Sequence, residues 1–295
     1  MRILISGSTG FLGQNLVEHI QSLRPEWEIF GFDLKESEGI DYNFEKINFN
    51  SDINWKEKIK TIEPDLIFHL VGLFRGSKEE MYKTNVESFQ RFIEGFRDSE
   101  LESRLLVLGS SAQYGTFESI DKPIREEHST NPTSIYGKTK EEQEKLALSF
   151  HENYGIDVVC TRPASFIGKG VSNQLLSGYL NDKFYESEKT IQLEISHPED
   201  VRDYIDVRDT CSALILLQEM TGISGDIFNI SANQPISNID LIKTYEKIFE
   251  KRSIITYTDP DRAPSKSWLD NSKIAKCCSY LPKCSIEDSI RSIFE

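Results

Sequence analysis

The sequence predicts an α/β fold: an open, doubly wound parallel sheet with helices on both faces, joined to a smaller, sequence-discontinuous α/β C-terminal lobe. Three observations carry this expectation. Short apolar runs alternate with longer amphipathic stretches from residue 1 to about 160, which is the rhythm of βαβ units. The runs are continuously apolar, as in Leu66-Ile67-Phe68-His69-Leu70-Val71, and that marks strands covered on both faces. The first run, Arg2–Ser6, leads directly into Gly7-Ser8-Thr9-Gly10-Phe11-Leu12-Gly13, a glycine-rich turn at a strand-to-helix junction.

Strands are expected at Arg2–Ser6, Glu28–Phe32, Leu66–Val71, Leu105–Leu108 and Asp157–Thr161. Helical patterns fall at Gly13–Leu23, Trp55–Ile62, Glu79–Phe96 and Tyr136–Asn153. His69, inside an apolar run, reads as a core histidine. After Pro163 the rhythm weakens into loops, short strands and two helices, one at Ile239–Lys251. Within that half, Asp206–Met220 reads as one more long amphipathic helix with its entry turn, followed by a strand at Ile227–Ile230. The first domain is therefore assigned to residues 1–163 with about 206–231, and the second to 164–205 and 232–295.

The chain has 295 residues, 38% of them hydrophobic and 28% charged, enough for a sizeable core under a solvated surface. The net charge is −14. That balance argues against nucleic acid or an anionic membrane as partner, because a phosphate-binding face needs a basic excess. A small anionic ligand needs only a few local donors and stays open. No run reaches the length of a membrane span, and the amino-terminal MRILISGSTG is a strand leading into a turn, not a secretion signal. Cys160, Cys211, Cys277, Cys278 and Cys284 form no CxxC pair, so reduced thiols in a cytoplasmic protein are expected. The histidines are scattered without ligand spacing, and no metal site is assigned.

The glycine cluster has the spacing of a dinucleotide-binding turn. Gly7 permits the tight turn, Gly10 lets backbone approach a pyrophosphate, and Gly13 permits close helix–strand packing; the helix N-terminus then receives the phosphates. Asp33 follows the second strand, twenty residues after Gly13. A carboxylate there accepts the ribose hydroxyls of NAD and repels a 2′-phosphate. NAD(H) is the expected cofactor; Lys35, two residues on, leaves NADP(H) open.

Tyr136 and Lys140 stand four apart at the start of a predicted helix, on one face. A free phenol has a pKa near 10; a neighbouring ammonium, with a nicotinamide's positive charge, favours phenolate. Leu105–Leu108 runs into Gly109-Ser110-Ser111-Ala112-Gln113-Tyr114-Gly115, which puts hydroxyls at the carboxyl edge of the sheet. One of them can hydrogen-bond a reacting carbonyl while the tyrosine donates its proton. Serines there can equally cap a turn or the next helix.

The glycine pattern, Asp33, the strand Pro64–Leu70, Asn85 before Val86, Ser110, Tyr136 with Lys140, and Arg162-Pro163 occur in the order seen in the extended short-chain dehydrogenase/reductase family. The chain resembles that family over nearly its whole length. The resemblance implies a Rossmann domain with a small sugar-nucleotide-binding lobe. Ser110, Tyr136 and Lys140 would be catalytic, with Tyr136 donating the proton and Lys140 lowering its pKa and holding the cofactor ribose. The cofactor set would comprise Gly7, Thr9, Gly10, Phe11, Leu12, Gly13, Asp33, Asn48, Leu70, Tyr136 and Lys140.

Val201–Asp209, Asp259-Pro260-Asp261-Arg262, Asp270–Lys273 and the serine loop are most similar to the GDP-4-keto-6-deoxymannose reductases. By that likeness Arg202 and Arg262 clamp a diphosphate, for which guanidinium forks are well shaped, and Ser111 and Ser165 complete the substrate set. The related 4,6-dehydratases carry an acidic pair after their catalytic threonine; here those positions are Ser111 and Ala112, so dehydration is not expected. Ala164-Ser165-Phe166 replaces the family's asparagine-bearing stretch, and Ala263–Lys266 departs from the guanine-nucleotide group, leaving thymidine and uridine sugars open. The implied reaction is NAD(P)H-dependent reduction of the C4 keto group of a nucleotide-diphosphate 4-keto-6-deoxyhexose. A sugar-nucleotide 4-epimerase uses the same residues and is the alternative; a dinucleotide-sensing protein without turnover is a distant one. In the family the helices at Glu79–Phe96 and Tyr136–Asn153 pair their apolar faces across a two-fold axis, so a homodimer is expected.

Overall fold

The structure, a computed structural model, describes residues 1–115, 122–186, 188–259 and 261–294. Pro260, inside the Asp259–Arg262 stretch singled out above, lies outside the described residues. In chain order the elements are β1 (Arg2–Ser6), α1 (Phe11–Leu23), β2 (Glu28–Asp33), β3 (Asn43–Lys46), α2 (Trp55–Ile62), β4 (Leu66–His69), α3 (Lys78–Tyr82), α4 (Ser88–Ser99), β5 (Arg104–Leu108), α5 (Ile135–Tyr154), β6 (Val158–Pro163), β7 (Ser165–Ile167), α6 (Leu176–Tyr185), β8 (Thr190–Ile195), β9 (Val201–Asp206), α7 (Val207–Glu219), β10 (Ile227–Ile230), β11 (Pro235–Ser237), α8 (Asn238–Phe249), β12 (Arg252–Tyr257), β13 (Lys266–Ser267), α9 (Ser272–Cys278) and α10 (Ile286–Arg291).

The chain divides into two compact units. The first holds Met1–Gly115, Ser129–Arg162 and Cys211–Phe228; the second holds the described residues of Thr116–His128, Pro163–Thr210 and Asn229–Glu295. The segment before His128 therefore falls in the second unit, where the sequence reading kept 1–163 together. Its anchors are a parallel bridge from Ile124 to Leu269 and the Glu126 carboxylate, which accepts the Asn229 N–H at 2.8 Å.

A seven-stranded sheet of order β10-β6-β5-β4-β1-β2-β3 organises the first unit. From β6 to β3 every pairing is parallel. The chain runs outward from β1 through β2 to β3, then returns to β4 on β1's other side and runs outward again. The order reverses between β1 and β4, with Ser6 opposite His69, and ligands of open α/β sheets bind at the carboxyl ends of strands beside such a reversal. Leu4, Trp55, Ile67, Phe92, Leu105 and Val158 anchor the core of this unit. Burying each side chain of this size contributes about 1.5–3 kcal/mol.

Three local differences from the sequence reading have physical causes. The edge strand β3 was not expected, because Asn43-Phe44-Glu45-Lys46 pairs only with β2 and stays largely exposed, so it lacks the apolar run of a central strand. β4 ends at His69, and the chain leaves the sheet at Leu70 to run past Gly7. The helix expected at Glu79–Phe96 is two α-helices joined by a π-helical turn at Lys83–Glu87. Its apolar residues Phe89, Phe92, Ile93 and Phe96 are buried in the chain's own core, as are Ala147 and Phe150 of α5. The faces left outward carry Gln90, Asp98, Glu142 and Lys145.

In the second unit β9 is flanked by β11 and β13, and β7 also pairs with it; β8 and β12 form a separate parallel pair. Leu180, Phe184, Leu193, Leu241 and Tyr245 form its core. Among the described residues of this unit, four helices lie beyond Pro163 (α6, α8, α9 and α10) where the sequence suggested two. No disulfide joins any two of the five cysteines. Among the described residues no helix is long and apolar enough to cross a membrane, and no cluster of three histidine, cysteine or acidic side chains is placed to hold a metal.

Candidate active site

The glycine turn is built by close backbone approach. Gly7 has φ +81°, and a Cβ on it would lie 3.1 Å from the Leu70 carbonyl carbon and the Val71 nitrogen. A Cβ on Gly13 would lie 2.0 Å from the Gly7 carbonyl oxygen, so any side chain there forces helix and turn apart. Gly10 caps α1 in extended conformation with no side-chain cap, and the first turn carries no acidic residue. The N-terminus of α1 is thus left with its positive dipole end uncompensated by a carboxylate.

Asp33, at the end of β2, accepts the Thr9 N–H through Oδ2 at 3.0 Å and the Leu34 N–H through Oδ1 at 2.6 Å. The Thr9 hydroxyl donates to the Lys35 carbonyl at 2.7 Å. Leu70 is buried behind Gly7, while Asn48 is exposed and accepts the Asn50 N–H. An acidic side chain fastened to a glycine turn, beside a helix end without a carboxylate, fits a dinucleotide: pyrophosphate at the helix, ribose at the carboxylate.

Ser110, Tyr136 and Lys140 belong to the same unit. Ser110 caps the 3-10 turn Ser111–Gln113: its Oγ accepts the Ala112 N–H at 3.2 Å and its own N–H donates to Gln113 Oε1 at 2.8 Å. Its side chain is close enough to the Tyr136 phenol to lower the phenol's pKa. The serine therefore takes the capping role, with its hydroxyl beside the phenol. Burial pushes the Tyr136 pKa up to about 12, with the Ser110 hydroxyl pulling the other way. Tyr136 as a whole residue stays partly exposed.

Lys140 is 1% exposed, and burial pushes its pKa down to about 7. Its ammonium donates to the Leu108 carbonyl at 2.8 Å and to Gln143 Oε1 at 2.9 Å. The expected lowering of the phenol's pKa by Lys140 is therefore not a property of the chain alone: burial dominates, and the lysine spends its hydrogen bonds on the end of β5 and on its own helix. His69 is a buried core histidine with Nδ1 2.9 Å from Ser6 Oγ, and burial first, then the Lys140 charge, hold its pKa down at about 3.

Two further groups hold this cluster in place. Asn85, fully buried in the π-helical turn, accepts the Leu73 N–H at 2.6 Å and donates to the Leu73 carbonyl at 2.9 Å and to Thr139 Oγ1 at 2.8 Å. It thereby ties the loop after β4 to the first turn of α5, and on that loop the Phe74 ring stands edge-on to Tyr136, 5.8 Å between centroids. Glu144 on α5 and Arg162 at the end of β6 form a two-bond ion pair, 2.9 and 2.6 Å, with side chains 5% exposed. The Arg162 guanidinium lies 4.7 Å above the Tyr114 ring. Gln143 stood three residues after Lys140 on the same helix face, and Glu144 one further; that spacing was the available signal. Nothing in the sequence marked Phe74.

The residues expected to hold a substrate diphosphate lie in the second unit. Ser165, part-buried at the start of β7, pairs with Tyr204. Arg202 Nη1 donates to the carbonyls of Val201 and Ser265, and Nη2 to Ser265 Oγ at 2.7 Å. Arg262 forms a two-bond ion pair with the buried carboxylate of Asp200, 2.9 and 2.5 Å. Asp200, two residues before Arg202, escaped the sequence reading.

Fold and site together define a dinucleotide-binding oxidoreductase unit with a tyrosine–lysine helix. The chain belongs to the NAD dependent epimerase/dehydratase family, whose profile matches residues 3–231. It is an NAD(P)-dependent enzyme of the nucleotide-sugar epimerase, dehydratase and reductase superfamily. The GDP-6-deoxy-D-mannose reductase of Pseudomonas aeruginosa is 22% identical, over 99% of this chain and 95% of its own. Among solved structures, RMD from Pseudomonas aeruginosa complexed with NADPH aligns with TM-score 0.85 at 19% identity, covering 99% of this chain and 97% of that one. The UDP-glucuronic acid 4-epimerase from Bacillus cereus in complex with UDP-glucuronic acid and NAD aligns with TM-score 0.87 at 20% identity, covering 100% and 98%.

Proposed function

We propose that the chain reduces the C4 keto group of a nucleotide-diphosphate 4-keto-6-deoxyhexose. The bound nicotinamide dinucleotide supplies the hydride. The observation that carries the reading is the Ser110 hydroxyl beside the Tyr136 phenol, whose pKa burial raises. A reductase needs a proton donor for the alkoxide that develops at C4, and a protonated phenol beside an orienting hydroxyl meets that need. A 4-epimerase uses the same residues, so the preference for reduction rests on the likeness of the serine loop and of Val201–Asp209 to the keto-deoxysugar reductases. Ser111 and Ala112 offer no acid for eliminating water, which speaks against dehydration. The 22% identical GDP-6-deoxy-D-mannose reductase lends support over almost the full length.

In this reading Lys140 holds the cofactor ribose, Asp33 and the Gly7–Gly13 turn hold the adenosine side, and Arg202 receives the diphosphate. NADH is the preferred cofactor, and the working form is a homodimer in the cytoplasm. The test uses NADH deuterated at its transferable hydrogen with GDP-, dTDP- and UDP-linked 4-keto-6-deoxyhexoses. One of them should oxidise NADH stoichiometrically and gain deuterium at C4. Inversion of a 4-hydroxy sugar nucleotide without added cofactor, and with no label entering the product, would establish the 4-epimerase instead.

A further inference from the structure

We infer that Arg262 does not touch the diphosphate but serves with Asp200 as a positioning pair for Arg202, which binds the anion alone; this rests on the nucleotide-sugar reading above. The argument is a count of donors. A guanidinium offers five N–H groups. Those of Arg262 are taken up within its own unit: Nη1 donates to Asp200 Oδ1 (2.9 Å) and the Ala263 carbonyl (3.0 Å), Nη2 donates to Asp200 Oδ2 (2.5 Å) and Ser196 Oγ (3.5 Å), and Nε lies at ion-pair distance, 3.4 Å, from Asp259 Oδ2. To grip a phosphate, Arg262 would have to give up an ion pair with a carboxylate that is 4% exposed and leave that charge buried without its counter-ion, which is costly.

Arg202 differs. Nη1 donates to the Val201 and Ser265 carbonyls and one Nη2 hydrogen to Ser265 Oγ. Nε and the second Nη2 hydrogen have no acceptor among the described residues, which leaves one edge of the fork for an incoming oxygen pair. Ser265 connects the two arginines. Its N–H and hydroxyl donate to Asp200 Oδ1 at 2.8 and 3.1 Å, and its carbonyl and Oγ receive Arg202. Asp200 thus fixes Ser265, Ser265 fixes the plane of Arg202, and Arg262 neutralises Asp200 so that the buried carboxylate does not repel the ligand.

A double-mutant cycle tests this, read as calorimetric binding of GDP, UDP and dTDP and as KM against kcat for the accepted sugar nucleotide. Arg202→Ala should weaken nucleoside-diphosphate binding by about tenfold or more, the loss of charge-assisted hydrogen bonds. Arg262→Ala and Asp200→Ala should each weaken it too, raising KM and sparing kcat. Neither should weaken it further when Arg202 is already alanine, because a residue acting through another loses its effect once that other is gone. NADH affinity, carried by the other unit, reports that the variants are folded. Additive losses for Arg262→Ala and Arg202→Ala would show two independent ligands and overturn the inference. So would tighter binding by Asp200→Ala, which would make Asp200 a competitor of the anion. Wild-type protein that binds none of the three nucleotides overturns the nucleotide-sugar reading as well, an outcome distinct from either pattern.

Discussion

Asp33 and Thr9 are joined across the mouth of the glycine turn by a 3.0 Å hydrogen bond from the Thr9 amide to Oδ2, although 24 residues separate them. The carboxylate is held where strand β2 ends, so its charge faces whatever the turn binds. NADH should bind more tightly than NADPH, since a 2′-phosphate would meet that charge. Asp33→Ser should narrow the gap, measured by fluorescence titration with both cofactors. A wild type that prefers NADPH would show that Lys35 outweighs Asp33.

Tyr136→Phe removes the phenol but keeps the ring that stands against Phe74. Turnover should fall by about 10²–10⁴-fold, the usual contribution of a positioned proton donor, with the melting temperature nearly unchanged. Near-normal turnover with the accepted sugar nucleotide would exclude Tyr136 as the donor.

Lys140 makes a pH prediction with a definite sign. Its folded pKa is about 7 and an unfolded lysine titrates at about 10.4. Between these values the unfolded chain binds more protons, so this site makes stability rise with pH from about 7 to about 10. The destabilisation is fully present below pH 7. Lys140→Met abolishes it. The melting temperature of wild type minus that of the variant should therefore climb across this window, and a flat difference would contradict the burial argument.

Glu144→Ala strands the buried Arg162 guanidinium at the end of β6. Breaking one partner of such a pair costs about 3–5 kcal/mol, so urea denaturation should show a large loss. Replacing both residues by apolar side chains of similar volume should cost much less. Equal losses in the two variants would mean that the pair matters through its shape and not its charge.

Much of the first unit was legible because its strands are apolar on both faces and its helices carry one apolar stripe. Arg2–Ser6 and Trp55–Ile62 have the bounds that the pattern predicts. What escaped depends on contacts between residues distant in sequence. β3 is an edge strand whose composition is that of a loop. The π-helical turn is set by Asn85 reaching Leu73 and Thr139, partners 12 and 54 residues away. In the site, residue types and spacing pointed to Ser110, Tyr136 and Lys140, but not to where the lysine's hydrogen bonds go. The ion pair of Arg262 with Asp200 was invisible for the same reason: 62 residues lie between them.

The π-helical turn at Lys83–Glu87 also constrains how chain length can vary. A π turn is an α-helix with one residue to spare, and here the Asn85 side chain reaches Leu73 from within that turn while Phe89 and Phe92 are buried in the core. Deleting one residue between Lys83 and Glu87 would let the helix close into a regular α-helix, with Phe89 and Phe92 keeping their places and the Asn85 bonds to Leu73 and Thr139 lost. The surplus residue is therefore a length mark: the number of residues from Ser77 to Ser99 decides whether that asparagine can hold the loop.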